Sequence, residues 1–295
     1  MRPERSRRGF GFHPLLAYLD GSREALAAVL RPGNAGANTA ADHLALVELA
    51  LEQLPRETVE TAEIVVRTDS AGATHEFCDE LRAARVWFLM GLELRPAVRD
   101  AILALPEAAW RHAVGQDGEN RVRAQVAELT DYLDLTGWPA GSRVLVRRER
   151  PHPGAQLSFT DHDGRRFLAT LTDLAGDAVE LECLHRARAN CEDRIRAAKQ
   201  TGLDNLPFRE FALNEIWVEL SLIAQDLTCW TQRVALTDEL ADCEPKTLRY
   251  RLLHTAGRLA FHARRATLRL QADWPWAPAP AAAFMRLAAL PAPAR

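Results

Sequence analysis

The sequence has no apolar run that could span a bilayer. Its longest candidates, "RVWFLMGL" and "NEIWVELSLIA", are too short or too charged. The opening "MRPERSRRGF" is basic but is followed by no apolar segment of the signal-peptide kind. Cysteine is scarce: Cys78, Cys183, Cys191, Cys229 and Cys243 are scattered, odd in number and free of any CxxC pair. That spacing argues against a disulfide framework and against a structural zinc site, and leaves a reduced cytoplasmic compartment as the expectation. No large excess of one charge exists either, with 37 Lys and Arg against 40 Asp and Glu and a net charge of -3. Net charge alone therefore points to no nucleic-acid or membrane partner, and no internal repeat is visible.

What is present is ordinary soluble-protein composition: 295 residues, 47% hydrophobic and 26% charged, enough for one large domain or two modest ones. The distribution of charge is less ordinary. Between Lys246 and Arg269 lie seven Lys or Arg residues and no Asp or Glu. Such a run is either a solvated helix face or a stripe that contacts phosphates.

Periodicity organises the chain. "HPLLAYLD" and "EALAAVLR" flank a Gly-Ser turn and read as a hairpin. Thr39 with Asp42 resembles a capping box opening the helix "DHLALVELALEQL". "AEIVVRTDS" reads as a buried strand, "THEFCDELRAAR" as a helix and "VWFLMGL" as a second buried strand. This β-β-α-β-α-β pattern predicts a mixed sheet with helices packed on it. "SRVLVRRER", "AQLSFTDHDG" and "RRFLATLTDL" then read as short strands, with "DHDG" as a hairpin tip. The chain turns helical again through Gly202, and two long helices follow, "FREFALNEIWVELSLIAQDLTCWTQRV" and "PKTLRYRLLHTAGRLAFHARRATLRL". The Pro- and Ala-rich "WPWAPAPAAAFMRLAALPAPAR" is expected to end partly disordered.

Two stretches carry chemistry. Asp69 ends a strand in "IVVRTDSAG", where α/β enzymes hold their ligands; the plainer reading is a turn or helix cap. In "HRARANCEDRIRAAK", His185, Arg188, Glu192 and Lys199 follow steps of three, four and seven. On one helix they would share a stripe roughly 60° wide. The plain reading is a surface helix with i,i+4 ion pairs. The chemical one is a carboxylate pair, Asp69 and Glu192, suited to Mg²⁺ holding a phosphodiester.

With these residues in view, the chain resembles the DDE-type transposases of bacterial insertion sequences, in the group with the signature Y-x2-R-x3-E-x6-K. Here it reads His185-x2-Arg188-x3-Glu192-x6-Lys199, three letters of four. "GFGFHPLLAYLD", "LRPGNAGANTAADH", "RTDSAGATHEF", "VRRERPHPGAQL", "EDRIRAAKQTGLDNLPF" and "LRYRLLHTAGRL" resemble the same group, from about Gly9 to about Leu287. The resemblance implies a mixed α/β fold, a ribonuclease H-like catalytic domain. Its parts would be residues 9–103 and 179–272, a β-containing insertion at 104–178 and long C-terminal helices, with a tail at 273–295. It implies Asp69 and Glu192 as catalytic, metal-holding carboxylates for Mg²⁺, with Mn²⁺ as substitute. Arg188 and Lys199 become contacts to transposon-end DNA, and His185, where the family has tyrosine, a residue that stacks on a base or bonds a phosphate. The partners would be transposon ends and target DNA, bound as a homodimer in the bacterial cytoplasm and at the nucleoid.

One departure stands out. The first aspartate of the triad belongs on a strand upstream of "GFGFHPLLAYLD", and only "MRPERSRR" precedes that segment. Asp20 reads as a turn residue rather than a substitute. The expectation is an N-terminally truncated domain that lacks its first strand and is catalytically incomplete. The alternative is a non-catalytic remnant that binds DNA or inhibits an intact transposase.

Overall fold

The computed structural model describes residues 11–151, 154 and 161–291. Two compact units emerge: one holds the chain up to Ala17 with Leu26–Glu192, the other Tyr18–Ala25 with Asp193 onward.

In the first unit, β1 (Leu15–Tyr18) and β2 (Ala25–Val29) pair as the expected hairpin, with Asp20 in its turn. Ala27 of this hairpin packs with Leu46 and Ala50 of α1 (Ala40–Glu52). The two strands form a sheet of their own, so the single mixed sheet expected for this stretch is not what the chain builds. After α2 (Arg56–Thr61) come β3 (Val65–Thr68), α3 (His75–Ala83), β4 (Trp87–Leu92) and α4 (Pro96–Ala104). Next are β5 (Arg111–Val114), β6 (Asn120–Glu128), β7 (Arg143–Glu149) and β8 (Arg166–Thr172), then α5 (Ala178–Arg186) and α6 (Ala189–Ala198). The main sheet has six strands in the order β3-β4-β8-β7-β6-β5, parallel between β3 and β4 and antiparallel elsewhere. Strands β5–β8 thus share one sheet with the two that precede them.

The core lies on the face covered by α1, α3 and α4. Phe77 and Leu81 of α3 pack against Phe88 and Met90 of β4 and Leu171 of β8, all 1% exposed or less. Burial of each such side chain is worth about 1.5–3 kcal/mol. Thr74 starts α3 by accepting from the Phe77 N–H at 3.3 Å, and Pro96 opens α4, where its missing N–H costs nothing. The carboxylate of Asp173 is fully buried yet satisfied: it accepts from Arg82 Nη1 at 2.7 Å and from the Phe88 N–H at 2.9 Å. The "DHDG" tip is the two-residue turn its Asp-Gly pair dictates, with φ 49° at Asp163 and 68° at Gly164 and both His162–Arg165 backbone bonds at 2.9 Å. Residues 155–160 of "AQLSFTDHDG", read as a strand, lie outside the described residues.

The capping box at Thr39 does not form. Thr39 Oγ1 donates to Gly36 O, while buried Arg31 takes the Asp42 carboxylate at 3.0 Å. A guanidinium that is almost fully buried needs that charge more than the helix end does.

In the second unit, α7 (Phe211–Ala235) is the long helix expected and α8 (Pro245–Leu248) continues into a π-helical turn to Leu253. The second long helix is a misreading. From Gly257 the chain is a hairpin, β9 (Gly257–His262) against β10 (Arg265–Leu270), turned at Ala263 with φ 52°. Leu259, Phe261, Ala266 and Leu268 lie on one face and Arg258, Arg269, Arg265 and His262 on the other, an alternation of period two. The Pro- and Ala-rich tail is likewise ordered into α9 (Pro278–Ala288), whose Ala283 packs with Leu240, Leu248 and Leu252.

Replacing Asp173 by Ala should cost about 1–3 kcal/mol from the unpaired Phe88 N–H alone. Arg82→Ala should cost less, because that side chain is 42% exposed. Urea unfolding of the two variants checks the order.

Candidate active site at the end of strand β3

The site is built where β3 ends. Its last residue, Thr68, presents a carbonyl to His185 Nε2 at 3.2 Å, and the other ring nitrogen lies 3.3 Å from Thr170 Oγ1 on β8. A carbonyl only accepts, so Nε2–H donates and Nδ1 accepts from the hydroxyl. Arg67 adds a second tie, its Nη1 donating to Leu184 O at 2.6 Å. The C-terminal turn of α5 is thus fastened to the last two residues of β3. Burial depresses His185 to a pKa of about 4, opposed by its bond to Thr68 and assisted by the charges of Arg188, Arg147 and Arg67. The imidazole is neutral at pH 7.

Asp69 follows at once and is exposed. One carboxylate oxygen accepts from the Ala71 N–H at 3.0 Å, capping a short 3₁₀ turn over Ser70–Gly72, as the plain reading of "DSAG" has it. The turn lies close over β4, and a Cβ on Gly91 would sit 2.9 Å from Ser70 N and 3.2 Å from the Asp69 carbonyl carbon. Only glycine leaves that space.

His185 and Glu192 do not share one continuous helix. The chain breaks at Ala187–Arg188, so His185 ends α5 and Arg188 sits in the turn. Glu192 lies in the first turn of α6, and Lys199 opens a π-helical turn in the second unit. Arg188 Nη2 lies 3.4 Å from Glu192 Oε1, with the glutamate 66% exposed. Between these groups is Cys191, whose thiol is pushed up chiefly by burial. Arg188 and Arg67 pull it back, and Glu192 and Asp69 push it further. The charges of Arg188, Arg67, Glu192 and Asp69 are all felt at this thiol, more weakly than its burial. Arg67 and Cys191 were not singled out in the sequence. Arg67 could have been, since it lies two residues before Asp69 on a strand and so shares its side of the sheet.

Asp69 after β3 and Glu192 in the first turn of α6 are hard oxygen donors of the kind Mg²⁺ takes. That ion binds through one or two carboxylates and completes its shell with water and substrate phosphate. Among the described residues no three His, Cys, Asp or Glu side chains come together as a metal-holding group.

His185 should titrate near pH 4 by NMR, against about 6.5 in the unfolded chain. Its folded value lies below its unfolded one, so its contribution to stability is complete above pH 6.5 and is lost as pH falls toward 4. His185→Gln should flatten stability against pH in that window, measured by urea unfolding at successive pH values. Gly91→Ala should displace the Asp69–Ser70 backbone, visible as amide shifts confined to β4 and residues 69–73.

No curated protein matches the chain at significant similarity. The family model described as "Transposase DDE domain group 1" matches residues 7–292, nearly the whole sequence. With a mixed sheet, flanking helices and a carboxylate at a strand end already in place, the chain belongs to the DDE transposases.

Proposed function

We propose that this transposase-family chain engages DNA ends through a site centred on Asp69 and Glu192. The observation that carries the reading is the transposase family match over residues 7–292, with Asp69 standing where β3 ends and Arg188 paired with Glu192. Acid and base side by side at a strand end suit a phosphodiester: the guanidiniums hold its oxygens while the carboxylates face the phosphorus. Asp69 and Glu192 would hold Mg²⁺, or Mn²⁺ in its place, which when bound polarises the phosphoryl oxygens and acidifies water. Arg188 exchanges its long contact to Glu192 for a phosphate oxygen. Lys199, exposed in the second unit, adds a phosphate contact there. His185 acts by position, holding Thr68 so that Asp69 keeps its place. The exposed Arg258, Arg265 and Arg269 on one face of the β9–β10 hairpin extend the phosphate-contacting surface. The reading includes a homodimer on DNA and a bacterial, nucleoid-associated setting. Among the described residues no helix is long and apolar enough to cross a membrane.

The chain is proposed to be catalytically incomplete by itself. In-line displacement by two ions clamps the entering and leaving oxygens, and Asp69 and Glu192 lack a third carboxylate to bridge a second ion. In support, β3 pairs only with β4 among the described residues, and β1–β2 form a separate sheet. Asp69, already used as a turn cap, favours the second reading of a non-catalytic DNA-binding or transposase-inhibiting remnant.

Residues 1–295 with Mg²⁺ or Mn²⁺ and a duplex carrying the terminal repeats should give no cleavage above background. Adding an upstream strand with an aspartate should rescue cleavage only while Asp69 and Glu192 are intact. Cleavage by the unextended chain that Asp20→Ala abolishes would make Asp20 the third ligand and overturn the proposal. Replacing Arg188 and Lys199 together by Ala should weaken duplex binding. The slope of log affinity against log salt should fall by up to about 1.8, for two lost phosphate contacts.

A further inference from the structure

Helix α7 presents two unlike faces. Asn214, Val218, Ser221, Leu222, Gln225 and Cys229 are buried against the rest of its unit. On the opposite side Ile216, Leu220, Ile223, Leu227, Trp230 and Val234 are all exposed, each between 45% and 57%. Their spacing alternates four and three without interruption, the a/d repeat of a coiled-coil seam. From Ile216 to Val234 the seam runs about 27 Å along this 25-residue helix. The seam is rigid where it is bulkiest, since the Trp230 indole N–H donates to Glu24 Oε1 at 2.6 Å.

The flanks of the seam say what fits it. One flank carries Glu219, Asp226 and Arg233, seven residues apart; the other carries Trp217, Ala224 and Thr231. Glu219 has no hydrogen-bond or ion-pair partner among the described residues, and its partial burial raises its pKa with nothing opposing. It is a carboxylate short of a cation.

We propose that α7 pairs with α7 of a second copy of this chain, antiparallel, to form a two-fold homodimer. In that register Ile216 meets the partner's Val234, Leu220 meets the partner's Trp230 and Ile223 meets the partner's Leu227, and the two-fold axis repeats the three layers. Glu219 then lies beside the partner's Arg233, and Arg233 beside the partner's Glu219. A parallel pair would set the charged flank against Ala224 and Thr231 and leave Glu219 unmatched. Asp226 falls near the axis but is turned to its own chain, its Oδ1 accepting from the Ala25 N–H at 2.8 Å. The interface is isologous and closed, so it yields dimers and not fibres. It rests on α7 alone and stands whether or not the DNA reading does.

Sedimentation velocity of the full chain without DNA tests it. At micromolar concentration the chain should sediment at twice the mass of one copy. Leu227→Glu, at the central layers, should give a monomer with unchanged helical circular dichroism. Glu219→Arg and Arg233→Glu should each weaken the dimer about tenfold or more by placing like charges together. Mixed with each other, these two variants should pair again, because both contacts become complementary. Arg233 also donates to Gly21 O and Ser22 O, so if Arg233→Glu loses helical signal the Leu227→Glu result decides. A monomeric wild-type chain, a Leu227→Glu variant that remains dimeric, or folded charge variants that fail to pair on mixing would each overturn the proposal.

Discussion

The carbonyl of Thr68 has to find a donor, because it ends a strand that pairs on one side only among the described residues. His185 supplies that donor, and the Thr170 hydroxyl supplies the proton for the other ring nitrogen. Three elements, β3, β8 and α5, therefore meet through one imidazole. The low pKa follows from the same arrangement: a half-enclosed ring with arginines on several sides is far more stable neutral than charged. Arg67, bonded to Leu184 O, holds the end of α5 against β3 as well, and α6 starts after the turn at Ala187–Arg188. Removal of the ring would leave Arg67 as the remaining described side-chain tie between β3 and the end of α5.

Asp69 has a structural role, the cap of the turn that follows β3. Its Oδ1 is engaged by the Ala71 N–H, which orients the carboxylate. A ligand oxygen held by a backbone bond needs little reordering when a cation arrives. Glu192 is the complement, exposed and tied only by a long contact to Arg188, of a kind worth at most about 1 kcal/mol. It is free to move. One carboxylate is preset and one is adaptable.

Where apolar periodicity was unbroken, the sequence was a good guide. The β1–β2 hairpin, the β3 and β4 strands, α1, α3, α7 and the Asp-Gly tip all stand where the pattern put them. The failures have separate physical causes. Helical arithmetic carried His185 and Lys199 onto one stripe because nothing in "HRARANCED" marks a break: neither Gly nor Pro stands at Ala187 or Arg188. The β9–β10 hairpin was hidden by composition, since alanine and arginine favour helix by propensity, and only the period-two alternation of Leu259, Phe261 and Leu268 betrays strands. The Thr39 cap was overruled by a buried guanidinium eleven residues from Asp42, a tertiary demand that no local motif records. The tail was read as loose because of its prolines, yet Pro278 stands at the start of α9, where proline is well tolerated.

The hairpin also bears on the two readings of the basic run from Lys246 to Arg269. On a solvated helix the seven cations would be spread around the surface and would repel one another weakly. On the hairpin Arg258 stands directly opposite Arg269, and Arg265 opposite His262. The like charges of Arg258 and Arg269, so placed, destabilise the strand pair by roughly 0.2–1 kcal/mol. None of Arg258, Arg265 and Arg269 has an ion-pair partner among the described residues. A two-stranded ribbon is marginal in water to begin with, and this one leaves Leu259, Phe261 and Leu268 exposed on its other face. An arrangement that is unfavourable by itself becomes favourable once a line of phosphates lies along the basic face, because repulsion between neighbours turns into shared attraction and counterions are released. The strand register therefore weighs for phosphate contact over the solvated face, on grounds that charge counting alone did not contain.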